Sequence, residues 1–263
     1  MKIAVVGAGN MGGAVARSLV KAGTVRAADV TVSDLSDAVL GRFSERGYSV
    51  THDNAWAVRE ADVVFLVVKP WLVEEVIREI APALDYDAQL FVCIAAGITP
   101  EQLSEWLGRD AAGVAPQSFL VIPNTAIDVL RSMTFITPVN ASPEAVDTVK
   151  GLFDTVGSSM VIDYGMMAAA TAVASCGIAY AMRYILDAAR GSVEMGFSPA
   201  DSVPVVCQTM LGALGLMMRE GADPEAEIVK VCTPGGLTLK GLKEMEEAGF
   251  TTAIIRGLKA SVK

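Results

Sequence analysis

Through about Asp163 the chain alternates short runs of apolar, often β-branched residues with stretches whose apolar positions recur at helical spacing. Lys2–Val6 reads as a strand, Asn10–Lys21 as a helix, Val30–Ser33 as a strand and 34–46 as a second helix. Ala61–Val68, A-D-V-V-F-L-V-V, is an apolar run of the kind expected for a central parallel strand covered on both faces. Pro70–Ile80 is helical with proline at its start, Gln89–Ala95 is another buried strand, and Pro100–Leu107 is a helix. Val114–Ile122 and Met133–Thr137 read as strands, followed by a helix over Pro143–Phe153 and a strand over Ser159–Ile162. This rhythm predicts a doubly wound sheet, with ligands at the carboxyl ends of its strands.

Beyond Asp163 only helical patterns remain: Gly165–Ala189, Ser198–Met218, Ala226–Val231, Gly236–Glu247 and Thr251–Ser261. The breaks fall at Gly191–Phe197 and Gly221–Pro224, and no flexible linker or internal repeat separates the halves. The division is therefore placed at 1–163 and 164–263. Tyr164–Met182 is 19 residues without a charge and Val203–Met218 is 16. A helix apolar on all sides must be buried in something. The first stretch has the length of a bilayer span, but it is built from Ala, Gly, Ser, Thr and Met rather than Leu, Ile and Phe. A second copy of the chain is the expected cover, giving a domain-exchanged homodimer or higher homo-oligomer with no membrane contact. Nine of the 12 methionines lie from Met160 onward, which suits adaptable packing between helices.

Composition narrows the chemistry. The chain has 263 residues, 52% hydrophobic, with a net charge of −9; its mean hydropathy is +0.44 and its pI near 4.7. Such an acidic chain lacks the dense Lys and Arg that nucleic acid or an anionic membrane would need. Cys93, Cys176, Cys207 and Cys232 form no C-x-x-C pair and sit among small or apolar neighbours, so they read as buried, reduced thiols in a cytoplasmic protein. The single histidine, His52, reads as a surface or loop residue, and nothing clusters as metal ligands do.

Gly7-Ala8-Gly9-Asn10-Met11-Gly12 is G-x-G-x-x-G, placed after the strand I-A-V-V and opening a helix. Gly7 would make the tight turn, Gly9 would let backbone approach a pyrophosphate, and Gly12 would allow close helix–strand packing. The helix start then offers free N–H groups to the phosphates. With this motif the first half is an α/β, Rossmann-like doubly wound domain followed by an all-α C-terminal dimerisation domain. Asp34 stands 22 residues after Gly12, where an acid hydrogen-bonds the adenosine 2′-hydroxyl and favours NADH. No basic residue follows closely, Arg42 being two turns on, while Ser33 and Ser36 could still receive a 2′-phosphate. The cofactor is therefore NADPH or NADH, leaning to NADH, with a plain helix cap as the other use for Asp34.

Further motifs extend across nearly the whole chain: Val67-Val68-Lys69-Pro70, Cys93-Ile94-Ala95-Ala96-Gly97, Pro123-Asn124-Thr125, Gly177-Ile178-Ala179-Tyr180, and Val231-Cys232-Thr233-Pro234-Gly235-Gly236-Leu237-Thr238 followed by Gly241-Leu242 and Glu247-Ala248-Gly249-Phe250. In this order they resemble the pyrroline-5-carboxylate reductase family, whose patterns are A-V-K-P, S-I-A-A-G, P-N-T-P, G-P-A-Y and T-S-P-G-G-x-T. The resemblance implies reduction of 1-pyrroline-5-carboxylate to L-proline by hydride transfer from NAD(P)H, the last step of proline biosynthesis. It also places the nicotinamide half near Asn54, Val68, Lys69, Pro70, Ala95 and Ala96. Cys93 stands where the family has serine, Ala126 replaces the second proline of P-N-T-P, Leu120 stands where arginine is usual, and Thr233 replaces a serine while keeping the hydroxyl.

The chemistry of Thr233–Thr238 agrees with an imine reductase. A hydroxyl, a proline, two glycines and a second hydroxyl run into a helix, so backbone N–H groups around Gly235, Gly236 and Leu237 can form a nest for one carboxylate. Thr233 and this backbone would hold the carboxylate, and Thr238 would reach the ring nitrogen. Reducing an imine needs a hydride on carbon and a proton or hydrogen bond on nitrogen, so no buried acid/base pair is required. β-Hydroxyacid dehydrogenases share the plan but place a lysine on the helix between the domains; this chain has no lysine from Gly151 to Val229. A related cyclic imine or ketimine reductase and a non-catalytic NAD-binding regulator are the alternatives.

Overall fold

The computed structural model describes residues 1–262. Its first compact unit, Met1–Ser175, carries one eight-stranded sheet, and its second, from Cys176 on, is helical. The first unit runs β1 (Ile3–Val6), α1 (Asn10–Lys21), β2 (Val30–Ser33), α2 (Asp37–Ser44), β3 (Ser49–Thr51), α3 (Asn54–Val58), β4 (Val63–Leu66), α4 (Val73–Ile80), β5 (Leu90–Cys93), α5 (Pro100–Leu107), β6 (Gln117–Ile122), β7 (Ser132–Asn140), α6 (Pro143–Asp154) and β8 (Gly157–Val161), then begins the helical region with α7 (Met167–Ala170). The sheet order is β3-β2-β1-β4-β5-β6-β7-β8. The chain reverses its winding between β1 and β4, which opens the crevice where such sheets bind ligands.

The apolar runs are continuous because the inner strands are covered twice. On β1, Ile3 and Val5 join one core while Ala4 and Val6 join the other; on β4, Val63 and Phe65 divide from Val64 and Leu66 in the same way. One core takes Ala14, Val15 and Leu19 of α1, Leu40 and Phe43 of α2, and Val149, Leu152 and Phe153 of α6. The other takes Val73, Ile77 and Ile80 of α4 with Leu103 and Leu107 of α5. These spacings are the one-sided stripe of a helix packed on a sheet.

Several boundaries differ from the expectation. β6 starts at Gln117 rather than Val114, and β7 runs on to Asn140. β7 is antiparallel to β6, which periodicity cannot reveal, because an apolar run buried on both faces looks the same in either direction. β3 and α3 carry no strong apolar signal; β3 is a three-residue edge strand. The expected helix over Gly165–Ala189 is interrupted: after α7 the segment Thr171–Cys176 is a π-helix, and α8 (Gly177–Glu194) follows. The second unit continues with α9 (Pro199–Met217), α10 (Pro224–Val231), α11 (Leu237–Glu247) and α12 (Phe250–Ala260).

The apolar faces of the second unit are open. Met182, Leu211, Leu214 and Met218 are 58%, 62%, 53% and 86% exposed. Tyr164–Glu194 and Pro199–Met217 are long and apolar enough to cross a membrane by length and composition. Only Cys93 of the four cysteines is buried; Cys176, Cys207 and Cys232 are half-buried, and all four are free thiols. The expectation of four buried thiols is corrected accordingly, since Cys176 and Cys207 lie on helical segments with open faces and Cys232 just past the end of α10.

Candidate functional site

The glycine-rich turn is built by sterics. Gly7 has φ +90°, and a Cβ there would lie 2.5 Å from the Val67 carbonyl oxygen. A Cβ on Gly12 would lie 1.9 Å from the Gly7 carbonyl oxygen, so only glycine lets α1 start this close to β1. Gly9 is different: its φ is −61°, and a Cβ there would meet nothing within 4 Å. Glycine at this point keeps open a space that the fold itself does not fill. Gly9 is also the N-cap of α1, with no side chain capping the first N–H groups and no acid in the first turn. Free donors, positive helix potential and an open approach fit a pyrophosphate.

Asn10 is exposed and Met11 half-buried beside this opening. Together with Ala8 and Gly9 they line a cleft of about 640 Å³ that also receives Arg17, Arg42, Arg46, Val39, Thr125 and Asp128. Arg17 is held by Asp128 at 2.9 Å, and the Arg42 Nε donates to the Ala38 carbonyl. The sequence set Arg42 aside as too distant from Asp34; the packing of α2 beside α1 returns it to the cleft.

Asp34 closes the lower side of the turn. One carboxylate oxygen accepts from the Ala8 N–H at 2.9 Å and the other from the Ser36 N–H at 2.9 Å. It is not the cap of α2; that is Ser36, whose hydroxyl accepts from the Val39 N–H. Ser33 is fully buried and its hydroxyl is spent on the Asn54 side-chain oxygen, while the Asn54 amide donates to Glu79 at 3.0 Å. In this arrangement Ser33 tethers the base of α3 and does not present a hydroxyl to a ligand. The physical reason is β2's burial on both faces, which turns Ser33 inward.

Val68, Lys69 and Pro70 follow the carboxyl end of β4, and Ala95 and Ala96 follow β5; Val68 and Ala95 are half-buried, Lys69, Pro70 and Ala96 exposed. Both segments therefore leave the sheet at the same end as the glycine turn, since β1, β4 and β5 are parallel. The Pro123-Asn124-Thr125 motif follows β6. Asn124 accepts from the Ala126 N–H at 3.0 Å and donates to the Ala174 carbonyl at 3.3 Å, and Ser175 donates to the Pro123 carbonyl at 3.2 Å. The Pro123-Asn124 segment thus anchors the π-helix, some 50 residues on, through Ala174 and Ser175.

In the second unit, Thr233–Gly236 forms a tight turn before α11. Gly235 has φ +68°, the Gly236 N–H donates to the Thr233 carbonyl at 2.8 Å, and a Cβ on Gly236 would lie 2.4 Å from the Thr233 hydroxyl oxygen. Gly236 caps α11 without a side-chain acceptor, so the N–H groups of Leu237 and Thr238 are free. Among the described residues neither the Thr233 nor the Thr238 hydroxyl has a hydrogen-bond partner, and Leu237 is 85% exposed. Among the described residues no group of His, Cys, Asp and Glu is arranged to hold a metal.

A Rossmann sheet with an uncapped, glycine-opened phosphate cradle, joined to a helical dimerisation region, defines an NAD(P)-binding oxidoreductase. The family model for pyrroline-5-carboxylate reductase dimerisation matches residues 165–263, and that for NADP oxidoreductase, coenzyme F420-dependent, matches residues 2–106. The chain is 32% identical over 260 residues to the pyrroline-5-carboxylate reductase of Escherichia coli K12, covering 98% of this chain and 94% of that one. It is 31% identical over 271 residues to pyrroline-5-carboxylate reductase 1 of Dictyostelium discoideum, covering 98% of this chain and 48% of that one, so it spans about half that relative's length. The crystal structure of the Plasmodium falciparum pyrroline carboxylate reductase with NADP bound superposes with a TM-score of 0.89 at 23% identity, covering 100% of this chain and 95% of that one. The chain belongs to the pyrroline-5-carboxylate reductase family.

Proposed function

We propose that the chain reduces 1-pyrroline-5-carboxylate to L-proline with NADH or NADPH, as the last step of proline biosynthesis. The observation that carries the substrate side is the Thr233–Thr238 turn, with two unpartnered hydroxyls and free backbone N–H groups at the start of α11. On this reading the N–H groups after Gly235 and Gly236, with the Thr233 hydroxyl, hold the single carboxylate of the substrate. Leu237 packs against the ring, and the Thr238 hydroxyl hydrogen-bonds the ring nitrogen. That bond strengthens as the nitrogen gains an electron pair on arrival of the hydride, the proton that completes the amine coming from water, so it favours the transition state over the bound imine.

The cofactor's nicotinamide supplies the hydride to the imine carbon. Gly7, Gly9, Asn10, Met11 and Gly12 bind its pyrophosphate, Asp34 faces the adenosine ribose, and Asn54, Val68, Lys69, Pro70, Ala95 and Ala96 lie toward the nicotinamide half. Asp34 supports the lean to NADH; Arg42 and Arg46 in the cleft support a place for more anionic charge. The exposed apolar faces of α8 and α9 support a homodimer, because a lone copy would present Leu211, Leu214 and Met218 to water.

The test is the initial rate of NADH and NADPH oxidation with 1-pyrroline-5-carboxylate, run beside other cyclic imines and with the mass in solution measured in parallel. Turnover of this substrate at the highest kcat/KM is expected. Faster turnover of another imine would move the reading to a related reductase, and no turnover of any imine would remove the enzymatic reading.

A further inference from the structure

We propose that His52 sets which dinucleotide the chain accepts, acting as a positioning residue that places a titratable positive charge behind the acids at the adenosine ribose. The inference rests on the dinucleotide reading above. His52 directly follows β3, and the β2–β3 register pairs Ser33 with Thr51, so His52 comes to lie beside Asp34. Its Nδ1 is 2.9 Å from the Asp34 carbonyl oxygen and its Nε2 is 2.9 Å from a carboxylate oxygen of Asp37. Both partners are acceptors only. A neutral imidazole has one N–H and can satisfy one of them, whereas the imidazolium has two and satisfies both. On this exposed edge the two acceptors favour the cation, and the hydrogen bonds to Asp34 and Asp37 raise the His52 pKa above its ordinary value.

Around His52 the β2–α2 connection brings Asp34, and α2 brings Asp37 and, a turn on, Arg42. Asp29, tied to Arg26, lies at the opposite, amino end of β2 and does not face His52. The loop after β3 brings Asp53, which caps α3 through the Trp56 N–H, and α3 itself, N-A-W-A-V, brings no charge. The local balance is thus dominated by Asp34 and Asp37, and protonated His52 offsets one of these two charges. A ribose 2′-hydroxyl is indifferent to that change. A 2′-phosphate carries about −1.5 to −2 at neutral pH and is not. In a solvated setting one unit charge within several ångströms of it shifts binding roughly fivefold. Because the His52 pKa is raised, the charge is present at low pH and is lost as pH rises through it, so NADPH gains on NADH in acid.

The experiment uses the full chain without substrate. Dissociation constants for NADPH and NADH are measured by fluorescence titration between about pH 5.5 and 8.5, the window in which histidine titrates. The expected result is that the NADPH-to-NADH affinity ratio of the wild type, divided by that of His52→Gln, falls about fivefold as pH rises. His52→Gln should hold the ratio at its low, NADH-favouring end, and His52→Lys at its high end. The phosphate's own ionisation, near about pH 6, adds a slope common to all three proteins that cancels in their quotients. Thermal melts of both variants confirm folding, and one folded variant suffices. A His52→Gln or His52→Lys protein with the wild-type pH profile would overturn the proposal. Binding of both dinucleotides with a wild-type-to-variant quotient of ratios independent of pH would overturn it alone. Binding of neither would overturn the dinucleotide reading and this inference with it.

Discussion

Gly9 and Gly12 sit three residues apart in one turn, and the structure separates their roles. Replacing Gly12 by alanine puts a Cβ 1.9 Å from the Gly7 carbonyl oxygen and 3.1 Å from the Val67 Cβ. The start of α1 must then retreat by more than 1 Å from a backbone atom that cannot easily yield. Gly7 holds φ +90°, and its N–H donates to the Ser33 carbonyl at 2.9 Å, so moving it breaks the junction of β1 and β2. Overpacking of this kind costs about 3 kcal/mol, the upper part of the range for filled sites. For a unit of 175 residues that is roughly 6–12 °C in Tm. Cofactor affinity falls at least about tenfold as well, because the free N–H groups of α1 leave their positions. Gly9→Ala makes no clash, and its backbone already lies in a conformation open to alanine, so the melt should stay within about 2 °C of wild type. Its Cβ projects into the open approach, and dinucleotide affinity should fall by a similar factor. Circular dichroism melts and fluorescence titration with NADH and NADPH read both quantities. Gly12→Ala with a wild-type melt would refute the steric argument. Gly9→Ala with wild-type affinity would refute the assignment of that open face to the pyrophosphate.

Thr238→Ala should lower kcat by about 30- to 1000-fold, with the low end expected because water can partly replace the hydroxyl, and wild-type kcat and kcat/KM would remove its role. Thr233→Ala should raise KM more than it lowers kcat, since the carboxylate is held alike in ground and transition states; a pure kcat effect in steady-state kinetics would contradict this. Asp34→Ser should raise the NADPH-to-NADH efficiency ratio while weakening both cofactors, because the Ala8 and Ser36 N–H groups lose their acceptor; an unchanged ratio would leave Asp34 as a loop brace only. Burial pushes the Cys93 thiol from its ordinary value near 9 up to about 12. The unfolded thiol ionises first as pH rises, so stability is lost by about 1.4 kcal/mol per pH unit across that window. Urea melts at successive alkaline pH values should therefore show a shallower decline for Cys93→Ser than for wild type, and equal slopes would refute the burial argument.

The dinucleotide cradle and the helical half were legible in the sequence because both rest on local rules. Gly7, Gly9 and Gly12 follow a strand and open a helix, a constraint carried within a few residues of backbone. The double burial of β1 and β4 shows as unbroken apolar runs, and the uncharged lengths around Met182 and Leu211 announce faces that need a cover. The turn from Thr233 to Thr238 was equally readable, since hydroxyls, proline and glycines before a helix state their own hydrogen-bonding capacity.

Other features depend on residues that meet only through packing. Ser33 looked available to a ligand, but β2 turns it inward onto Asn54, a neighbour 21 positions away. Arg42 stands two turns on from Asp34 in sequence, and only the packing of α2 beside α1 brings it to the cleft. The reversal at β7 and the π-helix held by Asn124 and Ser175 follow from long-range hydrogen bonds that no local periodicity encodes. His52 is the clearest case. As one histidine in a loop it says nothing, and its two acceptors become visible only when the β2–β3 register sets it between Asp34 and Asp37. Backbone conformation and amphipathic spacing act over a few residues and can be read along the chain. Which polar groups satisfy one another is decided across the sheet, by whichever donors and acceptors the fold brings within hydrogen-bonding reach.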